Sequence, residues 1–171
     1  MPLAPSVPVD LSWWGGASTS FGIGIVLGSH WAVWKWAPSF TVGPQQAHDI
    51  GRAEAITVEL GLRITISLHF LSYSPVSGLT FLVYSDNAGI VFITNKGHSH
   101  SWKTNKILKH IYLQQAQHQI QLRAMHVTSW NNISDALSHG AVSEFLANFP
   151  VVNSQVSITL PDHLVGKLIS L

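Results

Sequence analysis

Over residues 16–28, GASTSFGIGIVLG, apolar side chains alternate with small ones. Phe21, Ile23, Ile25 and Leu27 fall on one face of an extended strand, and Gly22, Gly24 and Gly28 on the other. This period-two pattern predicts a half-buried strand whose glycine face lets another element come close. The apolar run over residues 9–16, with Trp13 and Trp14, predicts a strand before it, joined through a link over residues 15–20. After a tight turn at Ser29 and His30, WAVWKW over residues 31–36 alternates again and completes an antiparallel meander.

Residues 38–44, bounded by prolines, break the pattern and lead to a helix over residues 49–66. Asp49 is its expected N-cap, and Ala53, Ile56, Leu60 and Ile64 form its buried stripe. Glu54 lies at the margin of that stripe, and Glu59 reads as a surface residue. A turn-rich loop over residues 72–78 precedes a continuous apolar run over 79–84. Such a run predicts a parallel strand buried on both faces, here ending at Ser85-Asp86-Asn87. A short helix over residues 88–95, a basic loop over 96–100 and a helix over 101–117 follow, the last with Ile107, Leu108, Ile111 and Tyr112 inward. A fifth strand over residues 120–127 leads to a final helix that carries Asp135 near its start and closes at Gly140. The expected fold class is α/β, a mixed five-stranded sheet with three antiparallel strands then two parallel ones, flanked by helices.

The 171 residues suit one domain. Its expected limits are a disordered lead-in over residues 1–8, a domain over 9–143, and an apolar tail over 144–171 that packs loosely or on a partner. Charged residues are only 10% of the chain, against roughly 25% in ordinary soluble domains, which hints at a partly covered surface. No apolar run approaches the about 18 residues needed to span a bilayer, and residues 1–5 lack the features of a signal peptide. The expectation is a soluble, intracellular protein of cytoplasm or nucleus, without a membrane partner. The absence of cysteine excludes disulfides and thiolate zinc sites.

The net charge of +1 hides an asymmetry. None of the eight acids lies between residues 87 and 134, an interval that holds five of the nine lysines and arginines and five of the ten histidines. Lys103, Lys106 and Lys109 share a helix face there, and Trp102 stands beside them. A face without acidic partners favours a polyanion surface over a salt-bridged one.

Three acids fall at strand ends or on the sheet side of a helix: Glu54, Asp86 and Asp135. Hard oxygen donors of this kind suit Mg2+ or Mn2+, which together can position an attacking water and stabilise the leaving oxygen of a phosphodiester. Each also has an ordinary reading: Glu54 as a solvated helix residue, Asp86 as a turn or cap, Asp135 as a first-turn acid favoured by the helix dipole. His98 and His100 read as a solvated loop, since no third ligand lies within reach by sequence.

Taken together, GASTSFGIGIVLG with WAVWKW, then RAEAITVELGL, YSDNAG and SWNNISDALSHG resemble the ribonuclease H domain of reverse transcriptases from LTR retrotransposons, most closely those of fungi. The resemblance covers residues 12–140 and implies a ribonuclease H-like fold with a four-carboxylate, two-metal site. By it, Glu54, Asp86 and Asp135 are catalytic residues and metal ligands. The expected nucleic-acid-binding residues are Lys96, Lys103, Lys106, Asn87 and Asn132.

The first aspartate of the family, in a D-A-S block, falls on Gly16. Glycine offers no side-chain oxygen, so the resemblance implies weakened metal binding and impaired cleavage. Asp10 is no substitute, lying about 20 Å away along an extended chain. His98 and His100 stand where relatives tend to have arginines. The expected function is a retrotransposon-derived domain that binds RNA/DNA hybrid, with ancestral hydrolysis of the RNA strand impaired. Its partner beyond the hybrid would be a reverse transcriptase or polyprotein. A non-catalytic nucleic-acid-binding or protein-interaction module, and a decayed element fragment without function, are the alternatives.

Overall fold

The computed structural model describes residues 7–40, 42–43, 47–70 and 78–171. Strands β1 (Trp13–Ala17), β2 (Gly22–Leu27) and β3 (His30–Trp36) form the antiparallel meander. Helix α1 (Ala47–Thr65) runs on into a π-helical segment, Ile66–Phe70. Then come β4 (Leu79–Ser85), α2 (Ala88–Lys96), α3 (Trp102–His118) and β5 (Ile120–His126). The chain ends with α4 (Asp135–Ser138), α5 (Val142–Asn148), β6 (Ser154–Gln155) and β7 (Leu168–Ser170). The sheet order is β5-β4-β1-β2-β3-β6, with β4 parallel to both β1 and β5, as the pattern predicts.

The two faces of the sheet are covered differently. Trp13, Ile23, Ile25, Leu27, Trp34 and Trp36 pack toward α1 in the larger core. Val26, Trp31 and Val33 face a smaller cluster completed by Leu137 of α4 and Phe145 of α5. The glycine face of β2 is where α4 sits. A Cβ on Gly24 would lie 2.4 Å from Leu137 Cβ and 2.8 Å from the Ser138 nitrogen, so no larger residue fits without moving the helix.

Several expectations are corrected. Gly15, Gly16 and Ala17 belong to β1, pairing with Ile25, Gly24 and Ile23, so the link is shorter and begins at Ser18. Two adjacent glycines read as a turn, but here each lets a helix approach. A Cβ on Gly15 would meet Thr57 of α1, and one on Gly16 would meet Ser134 beside α4. The tight turn is Gly28-Ser29, with Gly28 at φ 62°, and His30 is already in the strand. Helix α1 starts at Ala47, which puts Asp49 inside its first turn. Tyr112 is 39% exposed, and its hydroxyl donates to Gly97 O across the surface. The predicted loop at 72–78 and lead-in at 1–8 fall largely outside the described residues.

The segment after Glu144 is no loose tail. Strand β6 joins β3 in parallel at His30 and Trp31, and β7 joins it antiparallel at Trp34–Trp36, making a seven-stranded sheet. Phe145 and Leu164 are fully buried. This packing also explains why α1 is buried on nearly every side over residues 53–62, where a one-sided stripe is expected. The sheet covers one side, and α3 and the C-terminal segment cover the others.

At the opposite edge of the sheet the Asn95 side chain pairs with β5 as a strand would. Its Nδ2 donates to Ala124 O at 3.0 Å and its Oδ1 accepts from Ala124 N at 2.8 Å. Among the described residues, no helix is long and apolar enough to cross a membrane. The burial of Leu164 gives a direct test. Leu164→Ala should lower unfolding stability by about 2–5 kcal/mol in urea denaturation, as for a core leucine, whereas a loosely packed tail would lose less than about 0.5 kcal/mol.

Candidate functional site

Where β1 and β4 run side by side, the chain brings Glu54, Asp86 and Asn132 together. Glu54 projects from α1 toward β1 and accepts a hydrogen bond from Ala17 N at 3.3 Å. Asp86 follows the last residue of β4. Asn132 joins the two strands, its Nδ2 donating to Gly15 O at 3.1 Å and to Asp86 Oδ1 at 3.2 Å. Its Oδ1 accepts from Ser134 N at 3.1 Å and Ser134 Oγ at 2.7 Å, which fixes the turn into α4. Asn132 is 4% exposed. It is a buried joint between β1, Asp86 and the turn into α4.

Glu54 is buried and polarised. Burial, and next the charge of Asp86, push its carboxyl from 4.5 up to about 8, against a smaller downward pull from the Ala17 N–H. The hard oxygens of Glu54 and Asp86 are, by donor type, those that suit Mg2+ or Mn2+. Beside Glu54 lies a gap of about 10 Å³ lined by Trp13, Thr57 and Val83. It is too small for an organic ligand.

The fit does not extend to a full set of ligands. Asp135 opens α4 with its side chain half exposed, 3.6 Å from His139 Nε2. Among the described residues, no three carboxylates or histidines come together as metal ligands. At Gly16, a Cβ would stand 3.1 Å from Ser134 Oγ and 3.6 Å from Asn132 Nδ2. A side chain at position 16 would therefore enter the space beside Asn132.

A groove of about 660 Å³ begins at the next residue, Asn87. Its walls include Phe92 and Lys96 of α2, His98 and His100 of the loop, and Trp102 and Lys103 of α3. No carboxylate is among its described lining residues. Phe92 and Trp102 are 60% and 64% exposed, each with a lysine over its ring: Lys96 at 5.0 Å and Lys106 at 4.7 Å. Asn87 caps α2 by accepting from Ile90 N at 2.9 Å, and Ser101 caps α3. The predicted Lys96, Lys103 and Asn87 thus meet in one groove, with Lys106 at its lip. Phe92 escaped sequence reasoning because α2 is apolar on most sides; two positions after buried Ile90, it points away from the core.

Glu59, expected at the surface, is instead fully buried. Arg63 Nε reaches its Oε2 at 2.8 Å, and His163 Nε2 lies 2.7 Å from its Oε1. The reason is the C-terminal segment, which brings His163 over this side of α1. The i,i+4 spacing to Arg63 was legible, but the histidine 104 residues away was not.

No family model matches the sequence, and no curated protein matches it. Among solved structures, the chain is similar to the N-terminal RNase H domain of Rv2228c from Mycobacterium tuberculosis, solved as a fusion with maltose-binding protein. Identity there is 16% over 84% of this chain and 99% of that one, with a TM-score of 0.51. It is also similar to LC11-RNase H1, isolated from compost by a metagenomic approach, at 18% identity over 78% of this chain and 94% of that one, TM-score 0.51. The fold is ribonuclease H-like.

The raised Glu54 sets a pH dependence for the metal-free protein. Between pH 4.5 and about 8 the folded chain keeps a proton there that the unfolded chain has lost, so stability falls as pH rises through that window. This group alone contributes a slope of about 1.4 kcal/mol per pH unit. In urea denaturation with a chelator present, Glu54→Gln should flatten the decline and be the more stable protein at pH 8. An unchanged slope would show that Glu54 ionises normally.

Proposed function

We propose that this chain is a ribonuclease H-like domain of the retrotransposon reverse-transcriptase type that binds RNA/DNA hybrid while its hydrolytic activity is impaired. The observation that carries the binding reading is the acid-free groove. Lys96, Lys103, His98 and His100 offer cationic and hydrogen-bonding contacts to phosphates, and the exposed faces of Phe92 and Trp102 suit stacking against sugars or bases. The groove starts at Asn87, next to Asp86, so a strand lying in it would pass the carboxylates. The likeness to RNase H domains of the same fold supports this reading.

On this reading Gly16 replaces the family's first aspartate. Glu54 and Asp86 would hold a divalent ion, with Asp135 at the margin, and such an ion when bound activates water and stabilises the leaving oxygen of a phosphodiester. The residues of the chain itself do three things. Asn132 orients Asp86 through its amide, Ala17 N–H steadies Glu54, and the groove positions the strand. With glycine at position 16, the chain would offer a second ion no side-chain oxygen there, and on this reading that is the physical reason for impairment. The half-exposed Asp135, paired with His139, adds to it.

The assay uses a labelled RNA/DNA hybrid with Mg2+ or Mn2+. The wild-type chain should bind and leave the RNA intact. Gly16→Asp should gain metal-dependent cleavage, and its melting temperature should rise on adding Mn2+ by more than that of the wild type, as mass action requires for a ligand that binds the folded state. Cleavage by the wild type would overturn the impairment. Binding of the hybrid should weaken with salt, and Lys96→Gln with Lys103→Gln should reduce the slope of log affinity against log salt by about 1.8, or 0.9 per lost phosphate contact. Salt-independent binding, or none, would overturn the nucleic-acid reading.

A further inference from the structure

Beyond the lip of the groove, two cations from separate parts of the chain share one aromatic ring, and a third lies close by. The Arg52 guanidinium of α1 stands 4.6 Å from the centroid of Phe40, and Lys167, just before β7, reaches the same ring at 5.8 Å. Lys106 of α3, over the Trp102 ring, lies within electrostatic reach of Lys167. The chain has nine lysines and arginines in all, so the meeting of three is a concentration of scarce charge.

The carboxylate that acts on Lys167 is Glu59, and it is already engaged. It is fully buried between Arg63 and His163, whose ring stacks on His110 of α3 at 3.5 Å and 4°. These contacts hold the C-terminal segment against α1 and α3 and so deliver Lys167 to its place. The result is a positive surface that reaches from Lys103 in the groove through Lys106 of α3 to Lys167. Partial burial, with Arg52 and Lys106 nearby, holds the Lys167 ammonium below its ordinary range, the behaviour of a cation that an incoming anion would favour.

We propose that Lys106 and Lys167, flanked by Arg52, form a second phosphate-binding surface for the nucleic-acid backbone, so that the C-terminal segment extends the footprint beyond the groove. This rests on the hybrid-binding reading above and adds to it a contact made by the last part of the chain. The groove supplies aromatic faces and this surface supplies charge alone, so it would act on either strand without regard to sequence. Phe40 supports the two cations from beneath and keeps them near the surface.

Affinity for a fluorescent RNA/DNA hybrid, measured across a salt series on the full chain, tests this. Lys106→Gln and Lys167→Gln should each reduce the slope of log affinity against log salt by about 0.9, and the double variant by about 1.8. Lys167→Arg, which keeps the charge, should retain the wild-type slope. An unchanged slope in both Gln variants, with the wild type binding and Lys96→Gln weakening it, would overturn this second surface and leave the groove standing. Equal losses in Lys167→Gln and Lys167→Arg would also overturn it, since packing and not charge would be responsible. Absence of wild-type binding would remove the hybrid-binding reading and this inference together.

Discussion

The arrangement depends on how closely α4 approaches the sheet at Gly24. With less than 3 Å between the site of an absent Cβ and the atoms of Leu137 and Ser138, the helix packs backbone to backbone on β2, and the turn before it is carried inward with it. Only from that depth can the Asn132 amide span from the Gly15 carbonyl to Asp86. The same contact places Ser134 over Gly16. A larger residue at position 24 would push out the helix, and the joint between β1, β4 and α4 would open with it.

That joint separates the scaffold from the chemistry it can perform. Glu54 is buried near Asp86, and burial first, then the charge of Asp86, makes its ionisation costly. Asn132 donates one neutral N–H to Asp86.

What was legible in the sequence followed from strong periodicity. The glycine face of β2, the buried run ending at Asp86, the helix from Ser101 and the turn at Gly140 all follow from local rules, and the order of antiparallel and parallel strands follows from them. Gly15 and Gly16 were misread because adjacent glycines mark turns by composition, whereas here they make room for helices on opposite sides of β1. Glu59 and the segment after Glu144 were misread together. The single-sided stripe on α1 assumed solvent on its other flank, and only tertiary packing puts His163 there. The same packing turns isolated apolar residues such as Leu164 into core. Of the site, the spacing of Glu54, Asp86 and Asp135 was visible, but not their relative placement, because a carboxylate's environment comes from distant elements. Phe92 belonged to a helix too uniformly apolar to reveal its outward side.

The Asn95 side chain has a wider consequence. Open sheets invite polymerisation through unpaired edges, and a chain with 46% hydrophobic and 10% charged residues has little electrostatic repulsion to resist it. Here β6 and β7 occupy the β3 edge, while a single carboxamide satisfies both the N–H and the C=O of Ala124 on β5. One edge is closed by strands and the other is interrupted by a side chain that imitates a peptide group. In a molecule so poor in charge, geometry rather than repulsion limits the backbone groups left unpaired at these edges.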